Sequence, residues 1–254
     1  MKLPFKLKYL PLFTLGAGLI GMLLRFWYLS CRDASGLLPS VHSGDVICYV
    51  VFACMLVFLF LCSRQAPNEA RYSRLFPASL RNAIGCLIGS LTIGFTSLYD
   101  FIQAVTDDLP GTQLTLPALI LGILAAICLL VLSLCRFKGS RPSAVLLLLP
   151  VVYLMFHAVM QARLWSKETQ ASVIFFPFMA SIFLLLNAYF LAALTVRQKG
   201  VRAYVFFNQV TLLLCCISFS WESRLFYMGM AAWVGLDLCA FPKKAHRTET
   251  EEEV

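Results

Sequence analysis

Charged residues, histidines and catalytic motifs are scarce in this chain. Only 13% of its 254 residues are charged and 3 are histidine, whereas 60% are hydrophobic. A soluble globular protein would be unable to bury so much apolar surface. The sequence also contains no Walker, H-E-x-x-H or G-x-S-x-G motif and no N-x-[ST] sequon. These absences argue against an extramembrane catalytic domain, and the missing sequons favour a prokaryotic membrane.

The cysteines do not form a redox or metal-binding pattern. None of the 10 cysteines belongs to a C-x-x-C pair, and no histidine lies at metal-ligand spacing from one. Thiols in apolar stretches usually act as small packing residues. We therefore expect no metal site. We also expect no cofactor and no nucleic-acid partner.

Eight apolar stretches follow one another along the chain, and each is close to the roughly 20 residues that a helix needs to cross a bilayer. They comprise residues 10–28, 46–62, 83–105, 116–135, 144–160, 173–195, 204–219 and 225–241. Backbone polar groups in lipid must be satisfied within the segment, so continuous runs such as VVFACMLVFLFL are expected to be helices. The sequence predicts an all-α integral membrane protein with a bundle of eight transmembrane helices.

The predicted transmembrane domain covers residues 1–241, and residues 242–254 are predicted to be a disordered, charged cytoplasmic tail. The last two spans are short, and only Trp221 to Arg224 connect them. Whether both of them cross is left open by the sequence, although residues 204–241 are too many for a single crossing.

The orientation follows from the lysines and arginines. Sixteen of the 21 lie in the N-terminus, in every second loop and in the C-terminal tail, and the opposite side holds only Arg32, Arg163, Lys167 and Arg224. Cationic loops stay in the cytoplasm, so both termini are predicted to be inside, with the chain forming four helical hairpins. A bacterial plasma membrane is the expected location.

Polar and small residues of the odd-numbered spans fall on single helix faces. Their spacings of three and four residues produce these faces in the first, third, fifth and seventh spans. The residues are Thr14, Gly18, Gly21, Arg25 and Tyr28; Gly85, Gly89, Thr92, Thr96, Asp100, Gln103 and Asp107; Tyr153, His157 and Gln161; Asn208, Thr211, Cys215, Ser218 and Glu222. Because polar groups are costly in lipid, we predict that these four spans form the core of the bundle.

The helical rise places several ionisable residues in the outer half of the bundle. At 1.5 Å per residue, Arg25 and Asp100 lie at nearly the same depth, about 22 and 25 Å from the inner ends of their spans. They are the expected ion pair. The candidate ligand or proton site consists of Arg25, Asp100, Gln103, His157 and Glu222. The residues assigned to helix packing are Gly18, Gly21, Gly85, Gly89, Thr92, Thr96, Asn208 and Thr211.

The first span, in the run LPLFTLGAGLIGMLLRFWYL, and the alternating Arg-rich short loops resemble uncharacterised multi-pass membrane proteins of low-GC Gram-positive bacteria. That resemblance implies a multi-pass membrane fold. It implies no activity and no site residues.

Two classes of function remain. The first is a small transporter or substrate-capturing membrane subunit, in which Arg25 meets a polar or anionic ligand and His157 or Asp100 exchanges a proton. The second is a non-catalytic assembly or sensing protein, whose polar residues only specify packing within the lipid bilayer or against a membrane protein partner. An intramembrane enzyme is a weaker alternative, because no nucleophile motif accompanies His157 and Asp100.

Overall fold

The computed structural model of the chain describes residues 9–30, 43–67, 72–106, 115–165, 171–197, 199–219 and 224–240. Helices make up most of these residues, and no β-strand occurs among them. The helices are α1 (Leu10–Ser30), α2 (Ser43–Ser63), α3 (Tyr72–Leu75), α4 (Leu80–Thr106), α5 (Thr115–Lys138), α6 (Ala144–Trp165), α7 (Ala171–Arg197), α8 (Val201–Ile217) and α9 (Arg224–Ala240). The predicted all-helical class is confirmed, and the predicted tail at 242–254 lies outside the described residues.

The long helices have the length and composition of membrane spans. Five of them, α1, α4, α5, α6 and α7, are long and apolar enough to cross a membrane, whereas α2, α8 and α9 contain shorter apolar segments. Large apolar side chains cover the outside of the bundle, with Leu12, Phe95 and Val145 each at least 66% exposed. An apolar surface of this extent is unfavourable in water but is compatible with the hydrocarbon of a lipid bilayer. These features indicate a membrane protein.

Helix α8 lies at the centre of the packing. Thirteen of its residues are buried, and it packs against α1, α2, α7 and α9. Helix α9 also contributes to the core, through the buried side chains of Tyr227, Met230 and Trp233. Helix α4 packs against α5 and α9, and α6 packs against α5 and α7.

This arrangement differs from the predicted core of the first, third, fifth and seventh spans, which are α1, α4, α6 and α8. Among these four, only α1 and α8 pack extensively on each other. Small residues explain the difference, because they set how closely two helices approach. Gly85 and Gly89 of α4 face Leu236 and Trp233 of α9. Because these glycines have no side chain, α4 packs closely against α9, and it does not pack extensively on α1.

The other residues assigned to packing lie at helix contacts or inside α8. Gly18 and Gly21 of α1 lie against Cys216 and Ile217 of α8. Thr92 lies against Gly229 of α9, and the Thr96 hydroxyl donates to the Thr92 carbonyl of its own helix at 2.8 Å. Asn208 and Thr211 are fully buried in α8.

One end of the bundle, here called the Arg136 end, is built from the starts of α4 and α8 and the ends of α2, α5 and α9. The Ser79 amide donates to the Arg136 carbonyl at 3.2 Å, and Arg202 Nε donates to the Ala66 carbonyl at 2.8 Å. Gly139 and Gly200 have φ values of 71° and 92°. This left-handed conformation suits glycine and allows the short α5–α6 and α7–α8 connections at this end.

Candidate functional site

The structure separates the residues of the predicted outer site. Arg25 is buried and His157 is partly buried, whereas Asp100 and Gln103 are exposed on α4. Glu222 lies outside the described residues. Arg25 and Asp100 therefore do not form the expected ion pair, because Arg25 is buried against α8, whereas Asp100 is exposed on α4, which does not pack extensively on α1.

Arg25 is positioned by the contact between α1 and α8. The Thr14 hydroxyl donates to Oε1 of Gln209 at 2.5 Å. Further along α1, Nη1 of Arg25 donates to the Ile217 carbonyl at 3.0 Å. Its guanidinium also lies 5.7 Å from the centroid of the Phe176 ring. A buried cation is thus held by a backbone dipole and an aromatic face.

His157 of α6 contacts α7 and α9. Its Nδ1 lies 3.2 Å from Oγ of Ser181, and its ring stacks on Phe226 with the centroids 4.4 Å apart. The donor depends on the tautomer of the neutral imidazole, and Nδ1–H of His157 donates when the single Ser181 proton is directed to the Pro177 carbonyl. His157 is therefore fixed in orientation by one polar and one aromatic contact.

The Pro177 carbonyl of α7 is the acceptor for two further side chains of this region. It accepts hydrogen bonds from the Ser181 hydroxyl and from the Tyr227 hydroxyl, both at 3.1 Å. Arg25 lies against the ring of Phe176, the residue directly before Pro177, so the histidine and the arginine contact the same part of α7. A proline inside a helix removes a backbone donor and disturbs the regular turn, and α7 carries Pro177 at this level.

Helix α4 reaches the same region through Ser97. Its hydroxyl donates to the Tyr153 hydroxyl oxygen at 3.3 Å, and the Tyr153 and His157 rings lie 6.3 Å apart. Gly122 of α5 lies directly against Ser97, which allows this close approach. We call Arg25, Tyr153, His157, Ser181 and Tyr227 the Arg25–His157 cluster.

A second polar cluster lies at the Arg136 end. Nη2 of Arg136 lies 3.7 Å from Oδ2 of Asp237, and the two side chains are 0% and 2% exposed. The Tyr204 hydroxyl donates to the same carboxylate oxygen at 3.3 Å. Cys86 of α4 is fully buried close to both charged groups. This is a buried ion pair between α5 and α9.

Aromatic rings cover the guanidinium of Arg136. Its Cζ lies 3.3 Å from the centroid of the Phe76 ring and 5.1 Å from that of Tyr72. Tyr72 belongs to the short helix α3, outside the long apolar helices. Burial raises the pKa of the Tyr72 phenol, so its hydroxyl stays protonated at neutral pH. We call Tyr72, Cys86, Arg136, Tyr204 and Asp237 the Arg136–Asp237 cluster.

The sequence interpretation missed this second cluster. It counts Arg136 only among the sixteen cations of the inner side and includes Asp237 in no candidate site. A signal was present, since acidic residues inside apolar stretches are rare and often pair with a cation at the same depth. Arg136 and Asp237 both lie near the ends of helices that finish at the same side.

Comparison with known proteins gives no match to a family model, to a curated protein sequence or to a solved structure. The functional argument therefore depends on the two clusters themselves.

Proposed function

We propose that this protein is a small transporter or substrate-capturing subunit of a bacterial plasma membrane, with eight spans and both termini in the cytoplasm. The binding site is the Arg25–His157 cluster. The contacts at the Arg136 end support the orientation, because they place the starts of α4 and α8 beside the ends of α2, α5 and α9. The cationic loops identify that end as cytoplasmic.

The observation that carries the proposal is the convergence of ionisable and polar side chains from several apolar helices at one level. Arg25 comes from α1, His157 from α6, Ser181 from α7 and Tyr227 from α9. Polar groups at such depth are costly in a membrane protein and commonly mark substrate or ion pathways. Binding sites also tend to combine aromatic walls with a few convergent polar groups.

The chemistry of the cluster suits a small polar or anionic ligand. Arg25 supplies a fixed positive charge, and the Tyr153 and Tyr227 hydroxyls and the His157 ring supply neutral donors and acceptors. Asp100 is not part of this site, because it lies on the exterior of α4. Proton exchange, if it accompanies transport, is therefore assigned to His157.

The proposal is tested by thermal unfolding of the purified protein in the presence of small carboxylates, phosphates, sugars and amino acids. A ligand that binds only the native state, at 100 times its Kd, stabilises that state by about 2.7 kcal/mol. Arg25→Gln should remove the effect of an anionic ligand. The matched control is Arg81→Gln, which neutralises an exposed arginine of α4 and should leave the effect unchanged. A panel without any stabilising compound would contradict the proposal.

A specific observation favours the second candidate, an assembly or sensing protein. The hydrogen bonds of His157, Ser181 and Tyr227 join these groups to one another and to the Pro177 carbonyl. Such mutual pairing would suffice for helix packing. Reaction of Ser181→Cys with a small, hydrophilic thiol reagent distinguishes the two. Rapid reaction indicates a water-accessible binding site, and protection indicates a dry packing contact.

A further inference from the structure

The Arg136–Asp237 pair is a loose contact in a fully buried place. Its N–O distance of 3.7 Å exceeds the length of a charge-assisted hydrogen bond, which is about 2.7–2.9 Å. A buried ion pair offsets its desolvation only when the geometry is good and the remaining donors and acceptors are satisfied. Neither condition is met by the two side chains alone.

The unsatisfied atoms of the cluster are mainly donors. Nε, Nη1 and Nη2 of Arg136 and the Tyr72 hydroxyl have no hydrogen-bond partner among the described residues. Asn82, one turn before Cys86 on the same face of α4, is also fully buried, and its amide has no partner there. On the acceptor side, Oδ1 of Asp237 is unsatisfied as well. This excess of donors around a guanidinium is complementary to an oxygen-rich anion.

We propose that the Arg136–Asp237 cluster is a binding site for a small oxyanion, such as a phosphate or carboxylate group, at the Arg136 end of the bundle. Arg136 anchors the anion, and the hydroxyl of Tyr72 donates to it. Asp237 is the internal competitor, because its carboxylate lies beside the guanidinium in this structure. The proposal does not depend on the Arg25–His157 site.

The contacts of Asp237 explain how an external anion can displace its carboxylate from Arg136. It is held to Arg136 by one long contact and to Tyr204 by one hydrogen bond of 3.3 Å. An oxyanion that makes two hydrogen bonds to the guanidinium fork would form the stronger contact. The Phe76 and Tyr72 rings cover the face of the guanidinium, so the anion takes the position of the Asp237 carboxylate beside it.

The test is to measure binding of sodium phosphate, sulfate and acetate to the full chain, with sodium chloride at equal ionic strength as the reference. Asp237→Asn should bind at least one of these oxyanions about tenfold or more tightly than the unmodified protein, because the competitor is removed. Its lower thermal stability, due to the unpaired Arg136, should be restored by that anion. Arg136→Gln with Asp237→Asn should fold, since neither charge remains, and should not bind.

Two results overturn the proposal. The first is an Asp237→Asn protein whose oxyanion affinity equals that of the unmodified chain, or that binds none of the three anions. The second is binding that survives in the double variant. If Asp237→Asn does not fold, Tyr72→Phe serves instead, because it should weaken binding several-fold, whereas Tyr189→Phe, at an exposed tyrosine, should not. Equal binding by these two variants would also overturn the proposal. All of these variants are made in an Arg25→Gln background, which removes the anion site of the Arg25–His157 cluster, so that only binding at the Arg136 end is measured.

Discussion

Gly229 of α9 lies directly against the side chain of Thr92 of α4. No side chain fits between the two helices at this point, and Thr92 cannot easily move away because its β-branched side chain has few rotamers. Gly229→Ala should therefore destabilise the protein by about 1–3 kcal/mol through overpacking. Thermal unfolding in detergent measures the effect.

Gly16 provides the matched control, since a Cβ at that position would meet no atom within 4 Å. Gly16→Ala should leave stability unchanged or raise it slightly, because alanine favours a helix over glycine by about 1 kcal/mol. The double variant Gly229→Ala with Thr92→Ala should regain part of the lost stability. A Gly229→Ala protein as stable as the unmodified one would show that α4 and α9 do not approach this closely.

The helices could be predicted from the sequence because their signal is local. The predicted span 83–105 corresponds to α4 (Leu80–Thr106), and 173–195 corresponds to α7 (Ala171–Arg197). Each is a continuous apolar run bounded by polar or basic residues. A helix in lipid needs no more than this, because its hydrogen bonds are internal.

The rotation and neighbours of each helix could not be predicted in the same way. Asp100 shares a helix with Gly85 and Gly89, and the sequence interpretation assumed that the polar side of α4 faces the core. The two glycines pack against α9, whereas Asp100, further along the same face, is exposed. An acidic residue near the end of a span can reach the membrane surface, so its burial is not obligatory.

The candidate site was predicted only in part for a related reason. Arg25 and His157 both lie against α7, but Ser181 and Tyr227 of the same cluster lie on the sixth and eighth spans, which are outside the predicted four-span core. Cross-helix hydrogen bonds depend on long-range packing and are not visible as a local period.

Arg25 and Asp100 should be energetically independent. Because Arg25 is buried against α8 and Asp100 is exposed on α4, the effects of Arg25→Gln and Asp100→Asn on stability should add within about 0.3–0.5 kcal/mol. A double-mutant cycle measures this. A coupling energy well above that range would show that the two charges meet.

Arg136 and Asp237 should behave in the opposite way. Each single neutral variant leaves one charge unpaired in a buried setting, and such changes typically cost about 3–5 kcal/mol. The double neutral variant should recover much of that loss, and thermal unfolding of the four proteins gives the coupling energy. If the two losses simply add, the pair contributes nothing.

The topology can be tested by labelling single cysteines from outside intact cells, in a chain whose native cysteines have been replaced. Substituted positions 35, 109 and 166 should react with a membrane-impermeant reagent, because they lie in the loops that contain few cations. Positions 68, 141 and 199 should react only after the membrane is permeabilised. Labelling at position 141 in intact cells would reverse the proposed orientation.

His157 distinguishes a proton-exchanging site from a packing contact. An amide offers a donor and an acceptor, so His157→Gln should keep a hydrogen bond to Ser181 and cost about 1 kcal/mol or less of stability. No amide titrates between pH 5 and 8. If ligand binding is coupled to protonation of His157, the variant should fold normally but lose the pH dependence of binding. Ser181→Ala is the companion variant, because it removes the partner hydroxyl and retains the imidazole, so a pH dependence should persist. A His157→Gln protein that keeps both the ligand affinity and the pH profile of the unmodified protein would assign His157 to helix packing alone.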